Sequence, residues 1–112
     1  ELDQIISDID RLAVTHSINE YIVQIAAATR RHPDLRLGVS TRGTLALLRI
    51  ARAFAATDDR DFVTPDDVKT LVAPVFGHRV ALSAEAELRG VTIETLMADI
   101  SDSVPVPRTS GA

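Results

Sequence analysis

The residues with the clearest chemical potential are three arginines in an apolar segment that runs from Thr41 to about Ala56. The first of them, Arg42, stands two positions after Ser40, a good N-cap for a helix that begins at Thr41. A guanidinium group binds phosphate oxygens in a fork, and a helix N-terminus adds exposed amides and positive potential at the same place. The position of Arg42 therefore suits recognition of an anionic group.

Arg49 and Arg52 follow Arg42 along one side of the same predicted helix. Such a row has two interpretations. In one, it is a solvated face whose arginines pair with Glu or Asp; in the other, it binds an anionic ligand, a protein helix or DNA. Spacing alone does not decide between them.

Other catalytic chemistries find little support. No two histidines lie at zinc-ligand spacing and the chain has no cysteine, so no metal site is predicted at His16, His32 or His78. The sequence contains neither G-x-S-x-G nor a spaced calcium loop, and its clustered aspartates are interpreted as solubilising and helix-capping groups. A phosphate loop of the G-x-x-x-x-G-K-[ST] type is also missing, so the isolated chain is expected to bind no cofactor and to hydrolyse no nucleotide.

Composition limits the class of protein further. The 112 residues, 46% of them hydrophobic, can bury one core. The net charge of −4 argues against a domain that coats nucleic acid, and no apolar run approaches the roughly 20 residues of a membrane span. The absence of cysteine suits a reducing compartment, so a cytoplasmic location is expected. Because the chain opens on Glu1 rather than Met, we expect a piece of a longer protein.

The elements that must position these arginines are predicted to be helices. Apolar spacing indicates one helix over Leu2–Leu12, and an S-x-x-E capping box at Ser17 predicts a second that ends before Pro33. The central helix follows the Ser40 cap, with a predicted apolar stripe of Leu47, Ile50, Ala51 and Phe54.

The second half of the chain has clear helix boundaries. Thr64 as N-cap and Pro65 at the first helical position predict a fourth helix that ends at a left-handed Gly77. A brief extended stretch over 79–82, a short turn from Ser83 to Gly90 and a last helix capped by Thr92 complete the domain. The fold class is thus all-α: a small bundle of about four main helices with a short extra C-terminal helix, over residues 1–102, and an extended or disordered tail over 103–112.

Several ordered blocks resemble the C-terminal lid of the MoxR family of AAA+ ATPases. They are Thr29-Arg30 with His32-Pro33, the stretch from Leu37 to Arg42, the stretch from Arg60 to Val68, and His78-Arg79. Thr41 stands where that family usually has proline, Gly43 where it often has alanine, and Asp59 where it has glycine. The resemblance implies that this helical domain is a lid of that type.

The same resemblance gives the candidate site. In that family the G-x-S-x-R block carries the sensor 2 arginine, so Arg42 would contact the γ-phosphate of ATP, with Ser40 and Thr41 beside it. ATP and Mg²⁺ would be held by the parent protein, an ATP hydrolase. His78-Arg79 is expected to pack against the core or a neighbouring subunit.

The resemblance also implies partners. They are an α/β ATPase core of the same polypeptide, neighbouring subunits of a ring homo-oligomer, expected to be a hexamer, and a von Willebrand factor A domain protein. The implied work is chaperone-like remodelling, without nucleic acid. The alternative from a different class is a helical module that docks a protein or DNA through the face of Arg42, Arg49 and Arg52.

Overall fold

The computed structural model describes the backbone of residues 2–107 and the side chains of residues 16–107. Within that part the chain forms five α-helices, a single 3-10 turn and a two-stranded antiparallel sheet, which confirms the predicted small helical bundle. In order, these elements are α1 (Leu2–Arg31), β1 (Leu35–Leu37), α2 (Thr41–Thr57), α3 (Pro65–Phe76), the 3-10 turn (Gly77–Arg79), β2 (Ala81–Leu82), α4 (Ala84–Leu88) and α5 (Ile93–Ser103).

The first two predicted helices are one. Helix α1 runs unbroken from Leu2 to Arg31, so the helix start predicted at Ser17 is wrong. The intervening segment from residue 13 to residue 16 contains no glycine or proline, and the helix propagates through it at little cost. Glu20, predicted to close a capping box, instead lies 4.0 Å from the imidazole Nε2 of His16, one turn earlier in the helix.

Helix α2 buries a narrower stripe than the sequence predicts. Ile50 and Phe54 remain 40% and 37% exposed, so the predicted stripe is wrong at these two positions. The buried positions recur every four residues, which places them on one face of the helix: Gly43, Leu47, Ala51 and Ala55. Because this row consists mostly of small residues, α2 can approach α3 closely.

Helix α3 occupies the centre of the bundle and packs against α1, α2 and α5. Its predicted start is confirmed, with Thr64 as N-cap and Pro65 in the first turn. The left-handed cap predicted at Gly77 is wrong, because Gly77 has a φ of −58° and leads directly into the 3-10 turn. A Cβ on Gly77 would lie 3.2 Å from Cγ2 of Ile93, so a small residue suits the close approach of α5.

The sheet ties the end of α1 to the segment after α3. Leu35 pairs with Leu82 and Leu37 with Ala81, so the predicted loop after Pro33 contains a strand. The extended stretch predicted over 79–82 is confirmed from Val80 to Leu82, of which Ala81–Leu82 form the strand, and is wrong at Arg79, which ends the 3-10 turn. Strands of two or three residues are too short to show an alternating pattern, which is why the sequence does not reveal the pairing.

The last part of the domain follows the sequence closely. Ser83 and Thr92 cap α4 and α5, and Gly90 adopts a left-handed φ of 81° between them. Helix α5 continues to Ser103 and the next residue, Val104, is buried, while the rest of the tail predicted from residue 103 continues without helix to residue 107. Residues 108–112 of that tail lie outside the described residues. No helix within residues 2–107 has the length and apolar character of a bilayer span.

Candidate functional site at the start of helix α2

The first turn of α2 is capped as the sequence predicts. Ser40 has an extended backbone, with φ −78° and ψ 169°, and its Oγ accepts a hydrogen bond from the amide of Gly43 at 3.2 Å. The carbonyl of Ser40 accepts bonds from both the amide and the hydroxyl of Thr44, each at 3.0 Å. The amides of Thr41 and Arg42 precede any intrahelical acceptor, so this end of the helix offers two donors to an anion.

Arg42 extends from this turn into solvent. Its side chain is exposed, and among the side chains that the structure describes it finds no ion-pair or hydrogen-bond partner. The neighbouring Thr41 is exposed as well. The structure thus groups Ser40, Thr41 and Arg42 at one helix end, as predicted. Their role as phosphate ligands stays a prediction.

The segment before Ser40 is held by the last turns of α1. Thr29, fully buried, donates its hydroxyl hydrogen to the carbonyl of Ala26 at 2.5 Å, and its oxygen accepts a bond from the amide of Val39 at 2.9 Å. The adjacent Arg30 donates from Nη1 to the carbonyl of Val39 at 2.6 Å. Both polar backbone groups of Val39 are therefore bonded to two successive side chains of α1.

Gly38 allows this segment to lie directly on α1. A Cβ built on Gly38 would come within 2.6 Å of Cα and 2.7 Å of the backbone nitrogen of Arg30. Contacts this short involve backbone atoms that cannot rotate away, so no side chain fits between the two segments. The glycine of the G-x-S-x-R block thus has a steric reason here.

Arg79 reaches the same turn of α2 from the other side. Its Nη1 donates to the carbonyl of Val75 at 3.0 Å, while its aliphatic stem crosses Gly43. A Cβ on Gly43 would lie 2.9 Å from Cδ of Arg79 and 2.9 Å from Cγ1 of Val39. The glycine that weakens helix propensity by about 1 kcal/mol therefore makes room for a packed arginine stem.

The site predicted from the sequence does not include the contacts of Thr29, Arg30 and Arg79. The prediction for Arg79 is only that it packs against the core or a neighbouring subunit, and Thr29-Arg30 match the family pattern without a predicted role. The one local signal is Gly43, a glycine in the first turn of a well-capped helix, because such a residue often marks a close approach by another part of the chain. His78, next to Arg79, is exposed.

The other two arginines of α2, Arg49 and Arg52, are also exposed, and no Asp or Glu forms an ion pair with either of them among the described side chains. In that part of the chain the row is therefore a solvated face with three guanidinium groups and no carboxylate partner.

An arginine just after the far end of α2 is in the opposite situation. Arg60 forms a bidentate pair with Asp67, with Nη1–Oδ2 and Nη2–Oδ1 distances of 2.7 and 2.9 Å. It also bonds the carboxylate of Asp58 at 3.3 Å and the carbonyl of Phe62 at 3.2 Å. The hydrogen bonds from Arg60 lower the pKa of Asp67, and Asp67 in turn raises the pKa of Arg60.

Asp67 also completes the start of α3. Its Oδ2 accepts the amide of Thr64 at 2.9 Å, and its own amide donates to Oγ1 of Thr64 at 3.2 Å. This reciprocal capping box and the Arg60 pair use both carboxylate oxygens. Asp59, which stands where the family has glycine, adopts a left-handed φ of 59° in the turn just before.

Comparison with known protein families identifies the type of domain to which this chain belongs. The AAA lid domain family matches residues 27–100, more than half of the chain. The chain therefore belongs to the AAA lid domain family, whose members are attached to an ATPase core.

Particular relatives agree with this assignment. The uncharacterized protein YeaC of Bacillus subtilis is 40% identical over 100 residues, which make up 89% of this chain and 31% of that protein. The chaperone MoxR1 of Mycobacterium tuberculosis is 27% identical over 106 residues, or 87% of this chain and 28% of that protein. The protein MoxR of Paracoccus denitrificans is 40% identical over 74 residues, 65% of this chain and 22% of its own length. The resemblance to MoxR-family lids is confirmed.

A solved structure shares the fold. The crystal structure of a "putative ATPase" from Cytophaga hutchinsonii superposes with a TM-score of 0.77 and 28% sequence identity. It covers 88% of this chain, and the match takes up 33% of that protein. The chain thus spans about a third or less of the relatives that it matches.

Proposed function

We propose that this chain is the lid that closes over ATP bound to an α/β core of the same longer polypeptide, with Arg42 contacting the γ-phosphate. The observation that carries the proposal is an exposed arginine without a described partner, at a helix start whose preceding backbone is fixed by hydrogen bonds from α1. An unneutralised cation held on rigid backbone suits a ligand that arrives from outside the domain.

The site fits a phosphate group chemically. The guanidinium of Arg42 offers two parallel donors, and the free amides of Thr41 and Arg42 point out of the same helix end. The oxygen of Ser40 already accepts a bond from Gly43, but its hydroxyl hydrogen is left to donate. ATP bound to the core, together with Mg²⁺, would supply the transferable phosphoryl group. In the lid, Arg42 would stabilise the charge that develops on it.

Contact at Arg42 would also report the state of the nucleotide. Loss of the γ-phosphate removes the partner of the guanidinium, so the lid would swing relative to the core as hydrolysis proceeds. In this proposal the parent protein works in the cytoplasm as a ring homo-oligomer, a hexamer, and performs chaperone-like remodelling with a von Willebrand factor A domain partner. Support for the remodelling comes from the relative MoxR1, which is named a chaperone.

The test is ATP turnover by the polypeptide that joins this chain to its core. Replacing Arg42 by Ala should lower turnover about 100-fold, the usual effect of losing one donor to a developing anion. Arg49→Ala is the matched control, because Arg49 lies on the same face of α2 and is likewise exposed and without an acidic partner. Equal turnover by wild type and Arg42→Ala would contradict the assignment.

A docking module is the second candidate, and the exposed row of Arg42, Arg49 and Arg52 favours it. Binding of an acidic protein surface or of DNA through this face would use all three side chains. Each replacement by Ala should then weaken binding by a similar factor, and affinity for DNA should fall steeply with salt. The lid proposal instead predicts a loss confined to Arg42. The net charge of −4 disfavours the DNA version.

A further inference from the structure

We propose that Thr29 and Arg30 are positioning residues for Arg42: together they form a clamp on Val39 that makes the direction of α1 fix the direction of the Arg42 side chain. This inference rests on the proposed lid function and assigns a role to two residues that contact no nucleotide in it. The clamp is defined here as the hydrogen bonds from Thr29 and Arg30 to the backbone of Val39.

The clamp acts on the backbone immediately before the site. Val39 is fully buried, and it directly precedes Ser40, whose hydroxyl caps the helix that carries Arg42. Only two residues separate the clamped one from Arg42. A displacement of Val39 therefore passes almost undiminished into the first turn of α2, since the intervening backbone is already fixed by the cap.

The two hydrogen bonds of the clamp fix the orientation of Val39 as well as its distance from α1. The amide of Val39 donates to Thr29 at 2.9 Å and its carbonyl accepts from Arg30 at 2.6 Å, so the peptide units on both sides of Val39 are oriented by one helix turn. At Gly38 the backbone runs so close to α1 that a Cβ would lie 2.6 Å from Cα of Arg30. The segment can neither slide along α1 nor rotate on it without breaking these hydrogen bonds. The bond between Thr29 and Val39 is buried, so water cannot easily replace the lost partner there.

Thr29 is also held in its own position. Its hydroxyl donates to the carbonyl of Ala26 at 2.5 Å, which orients the lone pairs of Oγ1 towards the Val39 amide. The chain of bonds thus runs from α1, through Thr29 and Arg30, to Val39 and the capped start of α2. Such a contiguous network can carry a rigid-body movement in either direction. When the phosphate contact at Arg42 is made or lost, α1 would move with α2 as one body.

The experiment uses the polypeptide that contains this chain and its core, and it measures kcat and KM for ATP. Arg30→Met removes the donor to Val39 and keeps the aliphatic stem. Arg31→Met is the matched control, since the side chain of Arg31 is exposed and forms no hydrogen bond with a described residue. We expect Arg30→Met to lower kcat about tenfold or more, because small misplacements of a transition-state contact are costly, and Arg31→Met to leave it within a factor of about two.

Thr29 provides an independent pair of variants. Thr29→Val keeps the shape of the side chain and removes the hydroxyl, whereas Thr29→Ser keeps the hydroxyl. The clamp predicts a loss of kcat in Thr29→Val comparable to that in Arg30→Met, and rescue by Thr29→Ser to within about a factor of three of wild type. Thermal unfolding of each variant identifies those that are folded at the assay temperature, and Arg30→Met, at an exposed position, keeps the test open if Thr29→Val unfolds.

The decisive readout is a double-mutant cycle with Arg42→Ala. If the clamp acts through Arg42, Arg30→Met should lower kcat by less than about twofold once Arg42 is gone, so the two losses do not multiply. Full multiplication of the two losses would overturn the positioning role, as would equal kcat for Arg30→Met and Arg31→Met. If Arg42→Ala has wild-type turnover, the proposed lid function fails and the clamp proposal fails with it. A normal Arg30→Met beside a defective Arg42→Ala overturns the clamp alone.

Discussion

One arginine lies in the first turn of helix α2 and another just after its last turn, and the surroundings of the two differ. At the C-terminal end, Arg60 has a bidentate carboxylate, a second carboxylate and a carbonyl as partners. At the N-terminal end, Arg42 is exposed and has no partner among the described side chains. The backbone that precedes Arg42 is nevertheless held by hydrogen bonds from Thr29 and Arg30 to Val39.

The difference shows where each arginine finds its counter-charge. Arg60 finds it inside the domain and joins the end of α2 to the start of α3 through Asp67. For Arg42, no counter-charge is present among the described side chains, which leaves the charge available to another component. A guanidinium that is positioned but unpaired therefore indicates an external ligand more strongly than the number of arginines on the face does.

The largest effect on stability is expected where the segment before Arg42 lies on α1, at Gly38. Gly38→Ala would place a Cβ 2.6 Å from the Cα of Arg30, and backbone must shift to relieve it. We expect the free energy of unfolding of the 112-residue chain to fall by about 3 kcal/mol, the upper range for overpacking, in chemical denaturation. Gly90→Ala is the control, since its Cβ meets no atom within 4 Å and only the left-handed φ of 81° opposes it, at about 1 kcal/mol. Equal losses for both variants would show that the contact of Gly38 with α1 is not restrictive.

The contribution of the ion pair between Arg60 and Asp67 can be measured by removing the charge of Asp67. Asp67→Asn keeps one acceptor for the Thr64 amide but loses the ionic bond to Arg60, so the unfolding free energy should fall by about 2 kcal/mol, as for a lost hydrogen bond to a charged group. Asp66→Asn is the matched control on the neighbouring, exposed residue and should cost less than about 0.5 kcal/mol. A loss in Asp66→Asn as large as that in Asp67→Asn would remove the special role of the pair.

The same pair gives a pH dependence with a definite sign. Because the folded-state pKa of Asp67 is lowered from its ordinary value of 3.8, the folded chain holds the ionised form more strongly than the unfolded chain does. Its contribution is present in full above that ordinary value and is lost as the pH falls through the lowered pKa. Wild type should lose more stability than Asp67→Asn between about pH 5 and pH 2 in denaturation measured across that range. Parallel curves for the two proteins would contradict the pairing.

The smallest expected effect concerns the turn between the charge pair and α2. Asp59 has a φ of 59°, a region that L-residues enter at a cost and glycine enters freely. Asp59→Gly, which restores the family residue, should stabilise the chain by about 0.5 kcal/mol after the entropy of the unfolded chain is included. Asp59→Ala should destabilise it. If chemical denaturation shows Asp59→Gly to be less stable than both wild type and Asp59→Ala, the left-handed turn does not limit stability there.

The sequence predicts the local starts of the helices well, because each depends on residues that are close together in the chain. Ser40, Thr64 and Thr92 all cap helices where their side chains and the following residues indicate, and Ser83, predicted to open a short turn, caps the short helix α4. The row of three exposed arginines and the place of Arg42 at a helix start follow from the same local spacing. The resemblance to MoxR-family lids adds what spacing cannot give, a candidate ligand.

Contacts between distant segments are what the sequence cannot give. The bonds from Thr29 and Arg30 to Val39, and the stem of Arg79 over Gly43, join parts of the chain whose relative position is fixed only by packing. Local signals can also mislead. The capping box at Ser17 predicts a helix start, but α1 continues through it because no glycine or proline interrupts the helix there. The exposure of Ile50 and Phe54 shows that the buried face of α2 is the one whose small residues let α3 approach closely, and the apolar pattern alone does not reveal this.

The central claim is that Arg42 serves a ligand outside the domain whereas Arg60 serves the fold. The most direct measurement is ATP turnover by the polypeptide containing the core and this chain, for Arg42→Ala and Arg60→Ala, at a temperature at which thermal unfolding shows both to be folded. The account predicts a turnover about 100-fold below wild type for Arg42→Ala, and a turnover within about threefold of wild type for Arg60→Ala despite its lower unfolding temperature. Equal turnover in the two variants, or the greater loss in Arg60→Ala, would contradict it.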